Sequence, residues 1–253
     1  MYLSSPTHSF TIPSLHDETQ LDCRLYLPST SSLQPETIRG AIVAHPYAPL
    51  GGCYDDPVVS FVGGELLKNG YIVGTFNFRG AGNSEGRTSW TAKPELADYV
   101  SFYGFMLCYL HSLRLQELSQ RGDGSILGGA TVEESDTLDR AGVHLILGGY
   151  SYGSLIASHL PGLDIVTDIF KNITAGTQIH QILQCAAKLS APLEDNDLIQ
   201  ERDLAVKKPF DISGTYISYL LVSPLLPPLN LLLTFFSTMS LDLGAHRQLH
   251  LCK

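Results

Sequence analysis

The pentapeptide Gly149-Tyr150-Ser151-Tyr152-Gly153 constrains the fold of this chain more than any other feature. It stands directly after the apolar run Val143-His144-Leu145-Ile146-Leu147 and before a helix-like segment, 152–160. A Gly-x-Ser-x-Gly sequence between a buried strand and a helix demands a turn so tight that bulky side chains are excluded on both sides of the serine. Such a turn pushes Oγ into solvent at the carboxyl edge of a sheet. The helix behind it offers free N–H groups and a positive dipole end.

Strand-like and helix-like segments alternate along the chain with no internal repeat, which predicts an α/β protein with a mostly parallel sheet and helices on both faces. Residues 9–15 and 20–27 read as an antiparallel hairpin, and 40–44 as a short buried strand. Asp55-Asp56-Pro57 supplies a capping carboxylate and a first-turn proline, Val58, Val59, Val62, Leu66 and Leu67 an apolar stripe, and Asn69-Gly70 a stop. Residues 71–78 form the next strand. Leu96, Val100, Tyr103, Leu107 and Leu110 recur at spacings of four and three, so 94–115 reads as an amphipathic helix. The polar, Gly-rich stretch 120–140 reads as a surface excursion. Pro161-Gly162 stops the helix after the serine, Ile179, Ile182, Leu183 and Ala186 mark another, and 216–222 is a strand. Residues 162–214, with the acidic stretch Glu194-Asp195-Asn196-Asp197, fit either a lid above the carboxyl edge or ordinary crossover helices. One domain, 1–253, is expected.

Charged residues make up 16% of the 253 and the net charge is −9, without a Lys/Arg cluster, which argues against a nucleic-acid or anionic-membrane partner. The five cysteines are odd in number, scattered and without C-x-x-C spacing. With no basic n-region and apolar stretch at the amino end, this predicts reduced thiols in a cytoplasmic protein. Pro224, Pro227 and Pro228 interrupt the apolar segment 216–239, and what remains is too short to span a bilayer.

Attack by a serine on an acyl carbon needs an exposed Oγ, a base to take its proton and donors for the oxyanion. Ser151 supplies the first. One donor is the backbone N–H of Tyr152. The other belongs to the loop His45-Pro46-Tyr47-Ala48-Pro49-Leu50-Gly51-Gly52, where Pro46 has no N–H and Tyr47 is the natural donor. His45 reads as the residue that orients this loop.

His45-Pro46 with Gly51-Gly52, then Asn77-Phe78-Arg79-Gly80-Ala81-Gly82-Asn83-Ser84-Glu85-Gly86, then the pentapeptide, resemble the serine α/β-hydrolases in order and spacing. More narrowly, the chain is similar to a fungal-type predicted hydrolase group with a His-Pro oxyanion loop. The resemblance covers about residues 20 to 228. It implies an α/β-hydrolase fold with an eight-stranded sheet, hydrolysis of carboxylic esters, thioesters or related small acyl compounds, and no cofactor. The glycines of 80–86 do not fit a dinucleotide fingerprint, since their spacing is Gly-x-Gly-x-x-x-Gly and no helix opens there. They read as a structural turn. No Walker, H-E-x-x-H or paired-Cys motif occurs, and His246-x-x-x-His250 with Cys252 is too sparse for a metal site.

The chain departs from the family pattern late. Chain order puts the triad acid and histidine after the serine, yet only 31 residues follow Val222, and each further parallel strand needs a crossover of about a dozen residues. The carboxyl-terminal strands are therefore expected to be incomplete and 229–253 an atypical tail. Asp242 and His246, with His250, are the late acid and histidines left for a triad. An exposed sheet edge there would favour a homo-oligomer. The alternative is a catalytically impaired α/β-hydrolase-like binding or regulatory protein lacking the acid–histidine half.

Overall fold

Alternation makes the first hairpin: Leu21, Cys23 and Leu25 point inward from β2 (Gln20–Tyr26), while the residues between them are half exposed. β1 (His8–Pro13) pairs with it antiparallel, from His8 opposite Leu25 to Pro13 opposite Gln20. Continuous apolar runs build the parallel strands, β3 (Thr37–Ala44), β4 (Ile72–Phe76), β5 (Gly142–Tyr150) and β6 (Thr215–Val222). All five residues of β4 are buried, as expected where helices cover both faces of a sheet. The computed structural model describes residues 2–29, 37–122, 142–191 and 214–223. Within them the strand order is β1-β2-β4-β3-β5-β6, with β2 antiparallel to both neighbours and β4, β3, β5 and β6 mutually parallel.

Two apolar layers flank the sheet. On one face Ala41, Val43, Val73 and Ile146 meet Val59, Val62 and Leu66 of α1 (Pro57–Lys68). That helix starts where the Asp56 carboxylate accepts the N–H of Val58 at 2.8 Å and of Val59 at 3.4 Å. On the other face lie α2 (Lys93–Gly122), α3 (Tyr152–Ser158), α4 (Leu163–Lys171) and α5 (Gln178–Ser190), over Ile42, Phe76, Leu145 and Leu147. The fold class is the expected one, an α/β protein with a mostly parallel sheet between helices.

Two elements depart from the sequence reading. The long helix is not amphipathic: from Asp98 to His111 every residue is buried, because α4 and α5 cover the side turned away from the sheet. Phe170 of α4 seats directly on Gly104, where a Cβ would overlap its ring. The helix also runs on to Gly122, into the stretch expected to be a surface excursion. α4 was not foreseen, since its nine residues are short and follow Pro161-Gly162. It and α5 bury Val166, Phe170, Ile182, Leu183 and Ala186 in the same core as α2. The rest of the excursion, the acidic stretch 194–197, the prolines after Ser223 and the tail 229–253 lie outside the described residues.

Candidate functional site

The carboxyl ends of β3, β4 and β5 are neighbours in the sheet, so the segments that leave them meet. β5 keeps its register with β6 up to Tyr150 opposite Val222, and the Ser151 N–H adds one more bond to the Val222 carbonyl at 2.9 Å. At Ser151 the chain turns with φ 56° and ψ −112°. This is a sparsely populated conformation for a residue with a side chain, sustained only where the surroundings over-determine it. α3 begins at the next residue.

Several contacts impose the bend. A Cβ on Gly149 would run into the Gly153 backbone, and one on Gly153 would lie 2.5 Å from the Ala44 carbonyl oxygen and 2.7 Å from that of His45. The Ser154 hydroxyl accepts the Val222 N–H at 2.9 Å and reaches back to the Gly149 carbonyl, tying α3 to two strands. Beneath them Tyr99 of α2 donates its hydroxyl to the Gly148 carbonyl at 2.9 Å. Ser151 is half-buried, and its Oγ has no hydrogen-bond partner among the described residues. Gly153→Ala is expected to destabilise the protein by about 1–3 kcal/mol, the usual penalty for overpacking a close backbone contact; urea unfolding checks this.

The loop after β3 is held from inside. His45 is fully buried, and its Nε2 accepts the Phe78 N–H at 2.9 Å. The ring proton must then sit on Nδ1, which donates to the Pro46 carbonyl at 2.6 Å. That carbonyl and the Tyr47 N–H belong to one planar peptide, so gripping the oxygen fixes the direction of the N–H on the opposite side. The turn closes through Leu50 and Gly52 N–H bonds to the Tyr47 carbonyl, at 3.1 and 3.2 Å. Neither the Tyr47 nor the Tyr152 N–H has a partner among the described residues. Because both nitrogens of His45 are committed, it orients the loop and does not serve as a base.

Burial lowers the His45 pKa to about 4. A histidine with a depressed folded pKa stabilises fully above its unfolded value of about 6.5, and the contribution falls as pH drops toward the folded value. Stability should therefore decline between about pH 6.5 and 4 by roughly 3 kcal/mol, at about 1.36 kcal/mol per unit. Urea unfolding across that range measures it, and His45→Phe should flatten the slope.

The segment after β4 is a structural turn, as its glycine spacing suggested. Asn77 Oδ1 accepts the Tyr54 N–H at 2.8 Å, and Ser84 Oγ donates to the Asn77 carbonyl at 2.8 Å. Asp22 accepts the Tyr54 hydroxyl at 2.6 Å and the Asn83 amide at 3.2 Å. Gly82, at φ 52°, lies where a Cβ would strike the Asn77 amide. The Arg79 guanidinium is buried between two carboxylates, with Asp98 at 2.7 and 3.0 Å and Asp17 at 2.8 and 3.1 Å. The two acids respond differently. The hydrogen bonds from Arg79 hold Asp17, partly exposed, at about 2, whereas burial pushes Asp98 up although the same guanidinium pulls it down.

Ser151, Tyr47 and Tyr152 thus come together at the carboxyl edge. Asp242, His246, His250 and Cys252 lie outside the described residues. Sequence reasoning missed Ser154, Tyr99, Asp22, Asp98 and Asp17, whose partners are distant in the chain: 68 residues for Ser154 to Val222, 49 for Tyr99 to Gly148, 62 for Asp17 and 19 for Asp98 to Arg79, and 32 for Asp22 to Tyr54. Asp98, for one, reads locally as an ordinary acid in the opening turns of a helix. Among the described residues no group of three or more His, Cys, Asp or Glu could hold a metal ion, and no helix is long and apolar enough to cross a membrane.

Fold and turn together define an α/β sheet protein that presents a serine at the carboxyl edge of its sheet. No protein-family model matches the sequence, and no curated protein matches it. Among solved structures, the chain is similar to an α/β serine hydrolase without lid from Xanthomonas campestris, at 22% identity over 62% of this chain and 56% of that one, with a TM-score of 0.37. An α/β serine hydrolase homologue from Coxiella burnetii matches at 16% identity over 88% and 89% of the two chains, with a TM-score of 0.37. An esterase from Pyrococcus furiosus matches at 16% identity over 66% and 46%, with a TM-score of 0.33. The match to the first of these spans little more than half of its length.

Proposed function

We propose that this chain is a serine hydrolase of carboxylic esters, thioesters or related acyl compounds. The observation that carries the reading is Ser151 at a bend of φ 56°, its Oγ unpaired among the described residues. The Tyr47 and Tyr152 N–H groups, likewise unpaired there, lie on the adjoining loop and helix. In this reading the turn is a nucleophile elbow and the two amides form the oxyanion hole.

Oγ attacks the acyl carbon while its proton passes to a base, and the carbonyl oxygen becomes an oxyanion held by Tyr47 and Tyr152 N–H. Collapse expels the alcohol or thiol, which takes the proton from the base and leaves an acyl-serine. Water, deprotonated by the same base, then releases the acid. We assign base and orienting acid to His246 and Asp242 on chain order alone.

A fluorophosphonate probe tests the reading. Labelling of the wild type and not of Ser151→Ala is expected. Folded wild-type protein that resists the probe would overturn it, leaving the alternative of a binding or regulatory protein that uses the same pocket without turnover.

A further inference from the structure

The two amides assigned to the oxyanion hole sit on separate elements, Tyr47 on the loop after β3 and Tyr152 at the start of α3. Among the described residues no backbone hydrogen bond joins that loop to the bend at Ser151. The β3–β5 register, up to Ala44 opposite Gly149, and the close approach of Gly153 to the Ala44 and His45 carbonyls bring the two elements together, and the side chains add a tie between the loop itself and the start of α3. The Tyr47 and Tyr152 rings meet edge to face, centroids 5.1 Å apart at 63°. Tyr152 meets Phe78 in the same way, at 5.9 Å and 74°, and Phe78 meets His45 at 5.0 Å and 69°. The Phe78 N–H is held by His45 Nε2, and His45 Nδ1–H holds the carbonyl of the peptide that carries the Tyr47 N–H. The contacts close a circuit: Tyr47 ring, Tyr152 ring, Phe78, His45, Pro46–Tyr47 peptide.

We infer that the ring of Tyr152 is a positioning element, bracing the loop after β3 so that the Tyr47 and Tyr152 N–H groups converge on one point. This rests on the serine-hydrolase reading. Edge-to-face geometry is the preferred arrangement of aromatic pairs and is directional, so it holds a spacing that aliphatic packing would leave loose. The hydroxyl is not what keeps the residue there. It is buried and has no partner among the described residues.

Three variants assayed with p-nitrophenyl acetate, alongside fluorophosphonate labelling, decide it. Tyr152→Phe keeps the ring and should recover most of the turnover that Tyr152→Leu loses. Tyr152→Leu keeps bulk but loses the edge-to-face contact. Its kcat should fall about 10- to 100-fold with KM changed less than about threefold, because a displaced donor weakens the transition state and not substrate binding. Tyr47→Leu breaks the same contact from the loop and should give the same split, which covers the case where Tyr152→Leu fails to fold. An unchanged kcat in a folded leucine variant would overturn the proposal, as would an equal loss in Tyr152→Phe. In both cases a labelled wild type would leave the hydrolase reading standing. An unlabelled wild type would remove both.

Discussion

Alanine at position 151 is expected to lower ester turnover by about 10⁴- to 10⁶-fold, the range seen when the nucleophile of an acyl-transfer triad is removed. At about 1.36 kcal/mol per factor of ten this is roughly 5–8 kcal/mol of transition-state stabilisation. The substitution should leave the fold intact. The Ser151 Oγ has no partner among the described residues, and the bend is imposed by the Gly149, Gly153 and Ser154 contacts around it. Stability should therefore change by less than about 1 kcal/mol, so lost turnover cannot be blamed on unfolding. Steady-state rates, normalised to the concentration of folded protein, provide the measurement. The same experiment tests the base. If His246 takes the Ser151 proton, His246→Ala should fall by several orders of magnitude, and the double variant should be no slower than Ser151→Ala, because triad members act as a unit. Full activity in His246→Ala would place the base elsewhere.

What the sequence makes legible here is short-range. The serine turn follows from five consecutive residues and their neighbours. The α1 boundaries follow from Asp56, Pro57 and Gly70, and both cap and stop act within a few residues. The first hairpin follows from period-two alternation. The amphipathic pattern assigned to α2 fails for a definable reason: periodicity reports one apolar face, but α4 and α5 bury the other, and nothing local to residues 98–111 announces that cover. The contacts that brace the site are long-range. Ser154 reaches Val222, Tyr99 reaches Gly148, and Arg79 reaches back to Asp17 and forward to Asp98. Composition and spacing identify the groups that face solvent, since their local turn chemistry is special. They do not identify the buried partners, which are ordinary residues made special by where the chain brings them.

Arg79→Ala is expected to be the most destabilising single change in the site's support, about 3–5 kcal/mol, the penalty for removing one partner of a buried ion pair. Asp98 is completely inaccessible and loses two guanidinium bonds, keeping the backbone N–H of residue 79 at 3.1 Å but no counter-charge from position 79. Asp17, 44% exposed, would be rehydrated instead, so Asp17→Ala should cost less than about 1 kcal/mol. Lysine cannot substitute, because one ammonium cannot span two carboxylates in a fork geometry, and Arg79→Lys should lie closer to alanine than to wild type. If the charge itself is the cost, removing both members should recover much of the loss: Arg79→Met with Asp98→Leu should be more stable than Arg79→Ala. Urea midpoints of the set measure this. A second signature is pH. Asp17, held at about 2, contributes stability that is complete above its unfolded value near 4 and disappears as pH falls toward 2. That window lies below the one governed by His45, between about 6.5 and 4. Wild-type stability should therefore fall over two pH windows, the lower fall smaller than about 1 kcal/mol because Asp17 is 44% exposed. Arg79→Ala should erase the lower fall while keeping the upper. Loss of the upper fall in that variant would mean that the turn carrying Phe78, and with it the His45 grip on the Tyr47 peptide, depends on Arg79 after all.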